Sequence, residues 1–193
     1  MLAACLLSPA ATAQTADAPQ IRVGDRWWFV EWYTVPSTTP NRDWTITSLD
    51  GTRILGTENG EPLVLTTDLN VSESPRSTAS NPRDLDFPLT VGKRWQFDTD
   101  WTFKPKASKG RASISVVVAA YERVTVPAGT FDAYRIESRE RHSGRSPIGS
   151  VYDAEVLRTY WYAPEASAIV KRVTKHPYLG PSTVELVALD LKR

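Results

Sequence analysis

The sequence predicts an all-β protein, an antiparallel meander forming a curved sheet or half-open β-barrel of about ten strands. Three observations carry this expectation. Seven Trp, seven Tyr and five Phe weight the apolar content towards residues that suit a pleated, half-buried surface. Apolar and polar residues alternate in segment after segment, and none repeats at the helical period. Turn residues interrupt the alternation at short intervals. With 41% hydrophobic residues over 193 positions, the chain can bury the core of one domain.

Residues 1–13, MLAACLLSPAATA, are apolar and uncharged and end in Ala11-Thr12-Ala13, a small-x-small pattern that signal peptidases accept. They read as a signal peptide lacking its basic leading region. LAAC, ending at Cys5, also reads as a lipobox in which Cys5 carries the lipid. The continuing apolar Leu6 and Leu7 favour simple cleavage after Ala13. Either reading exports the chain to the periplasm or medium, or to the outer membrane as a lipoprotein if Cys5 is lipidated. Residues 14–22 read as a linker and residues 23–193 as a single β domain.

Residues 26–34 alternate and are aromatic, which makes the first strand. Strands at 44–49, 52–56 and 63–69 follow, joined by turns at Asp50-Gly51 and Asn59-Gly60, dipeptides that supply the positive φ of tight hairpins. Residues 70–84, NVSESPRSTASNPRD, show no periodicity and read as a long loop. Residues 84–89 form at most a turn of helix. Further strands are expected at 94–103, 112–126, 131–141, 151–162, 169–175 and 183–191. The basic loop KPKASKGR joins the first two of these, and VPAGTF turns the chain before the third, with Pro127 fixing φ and Gly129 free to become left-handed.

Two stretches match: VGDRWWFVEWYT at 23–34 and VGKRWQFDTDWT at 91–102. They are read as equivalent strand starts in two halves of the sheet. Successive strand side chains point to opposite faces. The second copy therefore sets Trp95, Phe97, Thr99 and Trp101 on a buried face against Gln96, Asp98 and Asp100 on a wet one. The same register sends Trp27, Phe29 and Tyr33 to the core and leaves Trp28, Val30 and Trp32 where the twin is wet. Either the chain covers that face itself, or the face lines an apolar groove that holds a ligand. Trp28, Val30 and Trp32 are thus the candidate ligand-binding residues.

Function classes narrow further from charge and chemistry. Lys and Arg number 23 against 22 Asp and Glu, a net charge of +1 that argues against generic nucleic-acid binding. The single cysteine, Cys5, falls in the export segment, so neither a disulfide framework nor a thiolate metal site is expected. No apolar run reaches the roughly 18–20 residues that span a bilayer. His142 and His176, the two histidines, lack metal-ligand spacing and read as surface imidazoles. No metal or cofactor is expected. There is no G-x-S-x-G elbow. Asp153 and Glu155 share a strand face, but Arg139, Arg141 and Arg158 on neighbouring strands point to cross-strand ion pairs rather than glycosidase chemistry. Lys104, Lys106, Lys109 and Arg111 concentrate cations that would suit an anionic surface.

The runs VTVPAGTFDAYRIE and TYWYAPEASAIVKR, with FPLTVGKRWQF before them, resemble a group of bacterial envelope β-proteins. That group carries a V-P-A-G-x-F turn and a W-Y-A-P-E strand end leading into V-K-R. The resemblance implies a curved antiparallel sheet like that of periplasmic lipoprotein carriers, and supplies no catalytic residues. The glycine of W-Y-A-P-E-x-G is absent here, where Ala166 to Ala168 stand. The expected function is non-enzymatic binding of an apolar or amphipathic ligand, such as a lipid or acylated molecule. The alternatives are a structural or protein-interaction module of the envelope and, third, a hydrolase of envelope polymer.

Overall fold

Alternation does build strands along almost the whole chain. The computed structural model describes residues 14–33 and 41–193, so the export segment with Cys5 lies outside the described residues. Among those residues the strands are β1 (Thr15–Ala16), β2 (Arg26–Trp32), β3 (Arg42–Leu49), β4 (Arg53–Glu58), β5 (Glu61–Thr66), β6 (Val71–Glu73) and β7 (Ser77–Ala79). They continue with β8 (Leu89–Thr90), β9 (Arg94–Phe103), β10 (Ser108–Val126), β11 (Gly129–Arg145), β12 (Val151–Ala163), β13 (Ala168–His176) and β14 (Gly180–Asp190). All but β1 and β8 form one closed barrel of antiparallel neighbours, and β14 returns to pair with β2.

The all-β class and antiparallel order are as expected, but the barrel is closed rather than half open. Residues 70–84 account for part of the difference. They are not a loop: β6 and β7 form a short hairpin that bridges β5 to β9. Strands of three residues are too short to show a period. Ser74 makes the turn, its Oγ accepting the backbone N–H of Arg76 at 3.3 Å and of Ser77 at 3.1 Å. Residues 84–89 contain no helix and run into β8, which pairs with β1 inside the expected linker. KPKASKGR is a single 3-10 turn, Lys104–Lys106, after which Lys109 and Arg111 already belong to β10. A second such turn, Pro164–Ala166, ends at Ser167 with φ 48°, the left-handed region that favours glycine.

The repeated stretches are one device used twice. Gly24 has φ 92° and Gly92 has φ 91°. Gly24 N–H donates to Ile46 O at 2.9 Å while Ile46 N–H donates to Asp25 O. Gly92 N–H donates to Val118 O at 2.8 Å while Val118 N–H donates to Lys93 O. Just beyond each docking point the partner strand bulges, between Ile46 and Ser48 and between Val118 and Ala120. Each bulge adds a residue to one strand and sharpens its bend, which curls the sheet towards closure.

The predicted register holds in the second copy: Trp95, Phe97 and Thr99 are buried and Gln96, Asp98 and Asp100 exposed. In the first copy Trp27 and Phe29 are buried as expected, but Tyr33 is 51% exposed. It lies past the end of β2, where no ladder holds it inward. Residues 80–88 keep Ser80, Asn81, Arg83 and Pro88 exposed but turn Leu85 inward, where it is buried. Asn70 pins them with a reciprocal pair, Nδ2 to Leu85 O at 2.8 Å and Leu85 N–H to Oδ1 at 2.7 Å. Trp95 Nε1 adds a bond to Arg83 O at 2.7 Å, and Leu85 packs with Trp95 and Tyr160.

Replacing Asn70 with alanine strands the N–H and C=O of the buried Leu85. Each stranded group costs about 1–3 kcal/mol, so chemical denaturation of N70A is expected to show a loss of about 2–4 kcal/mol. A loss below about 0.5 kcal/mol, the usual limit for surface changes, would mean that this clamp does not hold the segment.

Candidate functional site

Strand alternation sends charged as well as apolar residues into the barrel. On β2, Trp27 and Phe29 are followed on the same face by Glu31; on β3, Arg42 precedes Trp44. On β12, Arg158 stands between Val156 and Tyr160, and on β13 Arg172 pairs across with Tyr160 and Val184. Together with Asp84, these side chains set charged and apolar groups side by side on the walls of the interior, Arg42 pairing across the ladder with Phe29 and Arg172 with Val184.

Between the walls lies a cavity of about 100 Å³. Trp27, Phe29, Trp44, Leu65, Leu85 and Val184 supply much of its apolar lining, and Arg42, Asp84, Tyr160 and Arg172 its polar side. Arg42 is well matched to Glu58, with Nε to Oε1 at 2.9 Å and NH2 to Oε2 at 3.2 Å. Arg172 is not. Its nearest paired carboxylate oxygen is Glu31 Oε1 at 3.6 Å, and Glu31 Oε2 also lies 3.7 Å from Arg42 and 3.8 Å from Arg76. Arg172 Nε and Trp44 Nε1 are buried donors without a hydrogen-bond partner among the described residues. Burial, with Arg42 and Arg158 adding repulsion, lowers the Arg172 guanidinium below its ordinary pKa.

A second charged group is fully satisfied. Glu140 has no solvent exposure, accepts from Ser138 Oγ at 2.9 Å and contacts Arg158 and, at 2.8 Å, His142 Nε2. Burial would raise its carboxyl, but Arg158, His142 and Ser138 hold it down to about 2. Asp84 faces the opposite balance. Burial, reinforced by Glu140, raises it above the ordinary carboxylate value, and its only side-chain bond among the described residues is from Tyr160 OH at 3.4 Å.

Trp28, Val30 and Trp32 lie on the face of β2 opposite Trp27 and Phe29, and none of them lines this cavity. Trp28 is half-buried with the Arg26 guanidinium 4.5 Å above its ring, Val30 is fully buried and Trp32 half-buried. Of the basic residues, Lys104 pairs with Glu73 at 2.9 Å and Arg111 with Asp100 at 3.1 Å, whereas Lys106 and Lys109 project into solvent.

Two expectations are corrected. His142 is not a surface imidazole: its side chain is 16% exposed, because its even position on β11 faces inward with Glu140. Arg158 does not join the outer ion pairs. It turns inward to Glu140, while Arg139 alone of the three approaches Glu155, at 3.9 Å. His176 is partly buried and its Nδ1 accepts the backbone N–H of Tyr178 and Leu179. Burial, with His142 and Arg158, lowers its pKa. The missed residues Glu31, Arg42, Glu140, Arg158 and Arg172 had one readable signal, a charge in register with apolar residues two positions away.

No protein-family model and no curated protein matches this sequence. Solved structures do match. A candidate lipoprotein from Parabacteroides distasonis aligns with a TM-score of 0.56 at 13% identity, covering 91% of this chain and 99% of its own. A candidate exported protein from Bacteroides fragilis, described as having a YmcC-like fold, gives 0.52 at 14% identity, again covering 91% of this chain and 99% of its own. The hypothetical lipoprotein YmcC from Escherichia coli gives 0.47 at 10% identity, over 84% of this chain and 83% of its own. The first two share the fold of this chain.

The two buried carboxyls predict opposite responses to pH. Glu140 is depressed from 4.5 to about 2, so its contribution is complete above pH 4.5 and disappears as pH falls towards 2. E140Q leaves the half-buried Arg158 without its counter-charge and is expected to lose about 2–3 kcal/mol at pH 7, a deficit that narrows in acid. Asp84 is raised from 3.8, so its contribution is present below pH 3.8 and lost as pH rises through the folded value. D84N is therefore expected to raise the melting temperature at pH 7 and leave it nearly unchanged at pH 3. Thermal melts of both variants across this range check the pair.

Proposed function

We propose that this protein belongs to the bacterial envelope, is exported, and binds an apolar or amphipathic ligand such as a lipid or acylated molecule inside its barrel without transforming it. The observation that carries the reading is the cavity itself: apolar Trp27, Phe29, Leu65 and Val184 line it together with the polar Arg42, Asp84, Tyr160 and Arg172. Ligand sites have this composition, largely apolar with a few placed polar groups. Export is supported by residues 1–13 and by the descriptions of the two solved proteins that share the fold.

The size of the cavity constrains the ligand. At about 100 Å³ it is smaller than the roughly 300–1,000 Å³ of ordinary ligand sites. It suits a short apolar group or the end of a longer chain. The second reading, a protein-interaction module of the envelope, is favoured by exposed apolar side chains on neighbouring loops at one rim. Ile148 is 89%, Val151 67%, Tyr178 67% and Leu179 66% exposed, and Tyr178 OH ties the β13–β14 loop to the start of β12 by donating to Asp153 O.

Tryptophan fluorescence separates the readings. Octanol or octanoate is expected to change the emission of the wild type, and W44F is expected to reduce that response more than W28F does. An unchanged spectrum for both probes, with native mass spectrometry detecting neither, would exclude the cavity as the site and favour the rim.

A further inference from the structure

The geometry points to an anionic amphiphile as the ligand, its oxyanion head, a carboxylate or a phosphate, seated on Arg172 and its apolar end against Trp27 and Phe29. This rests on the ligand-binding reading above and specifies the chemistry of its polar half. Two features of the cavity carry it. The first is unmet donor capacity. Arg172 Nε and Trp44 Nε1 both belong to residues lining the cavity, and both are buried donors without a hydrogen-bond partner among the described residues. Native interiors leave few buried polar groups unpaired, so two on one small cavity call for an acceptor there.

The second feature is charge. Glu58 is taken up by Arg42 in a two-point contact, which leaves Glu31 as the carboxylate nearest Arg172. Glu31 stands 3.6–3.8 Å from each of Arg172, Arg42 and Arg76, too far for a short charged hydrogen bond to any of them. Asp84 shares the lining, where burial raises its pKa, but it forms no ion pair with Arg172 among the described residues. Arg172 is thus a half-buried cation whose Nε is buried and whose compensation is incomplete, set beside apolar lining residues. A guanidinium presents parallel N–H groups that match the two oxygens of a carboxylate or phosphate. A neutral amphiphile would leave the unmet donors unmet.

Calorimetric titration of the full chain with octanoate, octyl phosphate and octanol tests this directly. Either anionic probe binding at least tenfold tighter than octanol supports the proposal, and the tighter of the two assigns the head group. Octanol binding as tightly as both anions overturns it while leaving the apolar site intact; no binding by any of the three removes the underlying reading as well. R172M is expected to abolish the preference for the anions. Because Arg172 is poorly compensated in the free protein, R172M is also expected to melt no lower than the wild type. Retained anion preference in R172M, or a sharply lowered melting temperature, would show that Arg172 serves the fold instead.

Discussion

The reciprocal hydrogen bond between Asn70 and Leu85 ties a segment outside the ladder to the twelve-strand barrel and holds Leu85 in its interior. A barrel of about eight strands can be filled by its own side chains, whereas larger ones hold a ligand, a channel or a plug. Here Leu85, carried by residues 80–88, acts as a small plug while Ser80, Asn81, Arg83 and Pro88 of the same segment stay exposed. Asn70 immediately precedes β6, so the hairpin that closes the gap between β5 and β9 also carries the clamp. Closure and filling are therefore coupled through one residue. The plug brings Leu85 and Leu89 against Trp95 and Tyr160 and sets Asp84 beside Tyr160. What it leaves unfilled is the cavity.

Closure also decides the fate of the charges. In an open sheet an inward Glu or Arg reaches water at an edge; in a closed barrel it must find a partner inside or remain uncompensated. Glu140 shows the first outcome, with Ser138, His142 and Arg158 all directed at one carboxylate. Such a network has a complete structural explanation. Arg172 shows the second outcome, with an unpartnered Nε and a shared carboxylate at 3.6 Å. The two sites differ in satisfaction rather than in residue type, which is why only one of them reads as a place for a ligand.

Most of the barrel was legible as strands because long elements such as β9 and β10 alternate cleanly over ten or more residues. The Asp50-Gly51 and Asn59-Gly60 hairpins were legible because positive φ leaves a residue signature, and Gly51, Asn59 and Gly60 all show it. The β6–β7 hairpin was not, since its strands are too short for a period and its turn relies on Ser74 rather than glycine. Closure is a long-range pairing of β14 with β2, and nothing local encodes it. The polar lining of the cavity went unread for a related reason. Trp28, Val30 and Trp32 stood out by hydrophobicity, while the informative inward residues were charged and looked like solvent-facing ones. His142 was hidden the same way, by Arg139 and Arg141 on the opposite face of its strand.

The duplicated stretch sharpens this point. Its two copies share the glycine turn, the docking bonds and the inward pair of Trp and Phe, so those features build the wall. The next inward position differs: Glu31 in the first copy, Thr99 in the second. Thr99 is buried and meets its hydroxyl locally, donating to Asp100 O at 3.2 Å. Glu31 cannot be satisfied locally and instead gathers Arg42, Arg76 and Arg172 around it. A neutral residue there would remove the carboxylate nearest Arg172 and deepen the imbalance. A carboxylate that bonded Arg172 closely would cancel it. Glu31 at its observed distance lies between these extremes: it partly compensates the guanidinium of Arg172, whose Nε has no partner among the described residues.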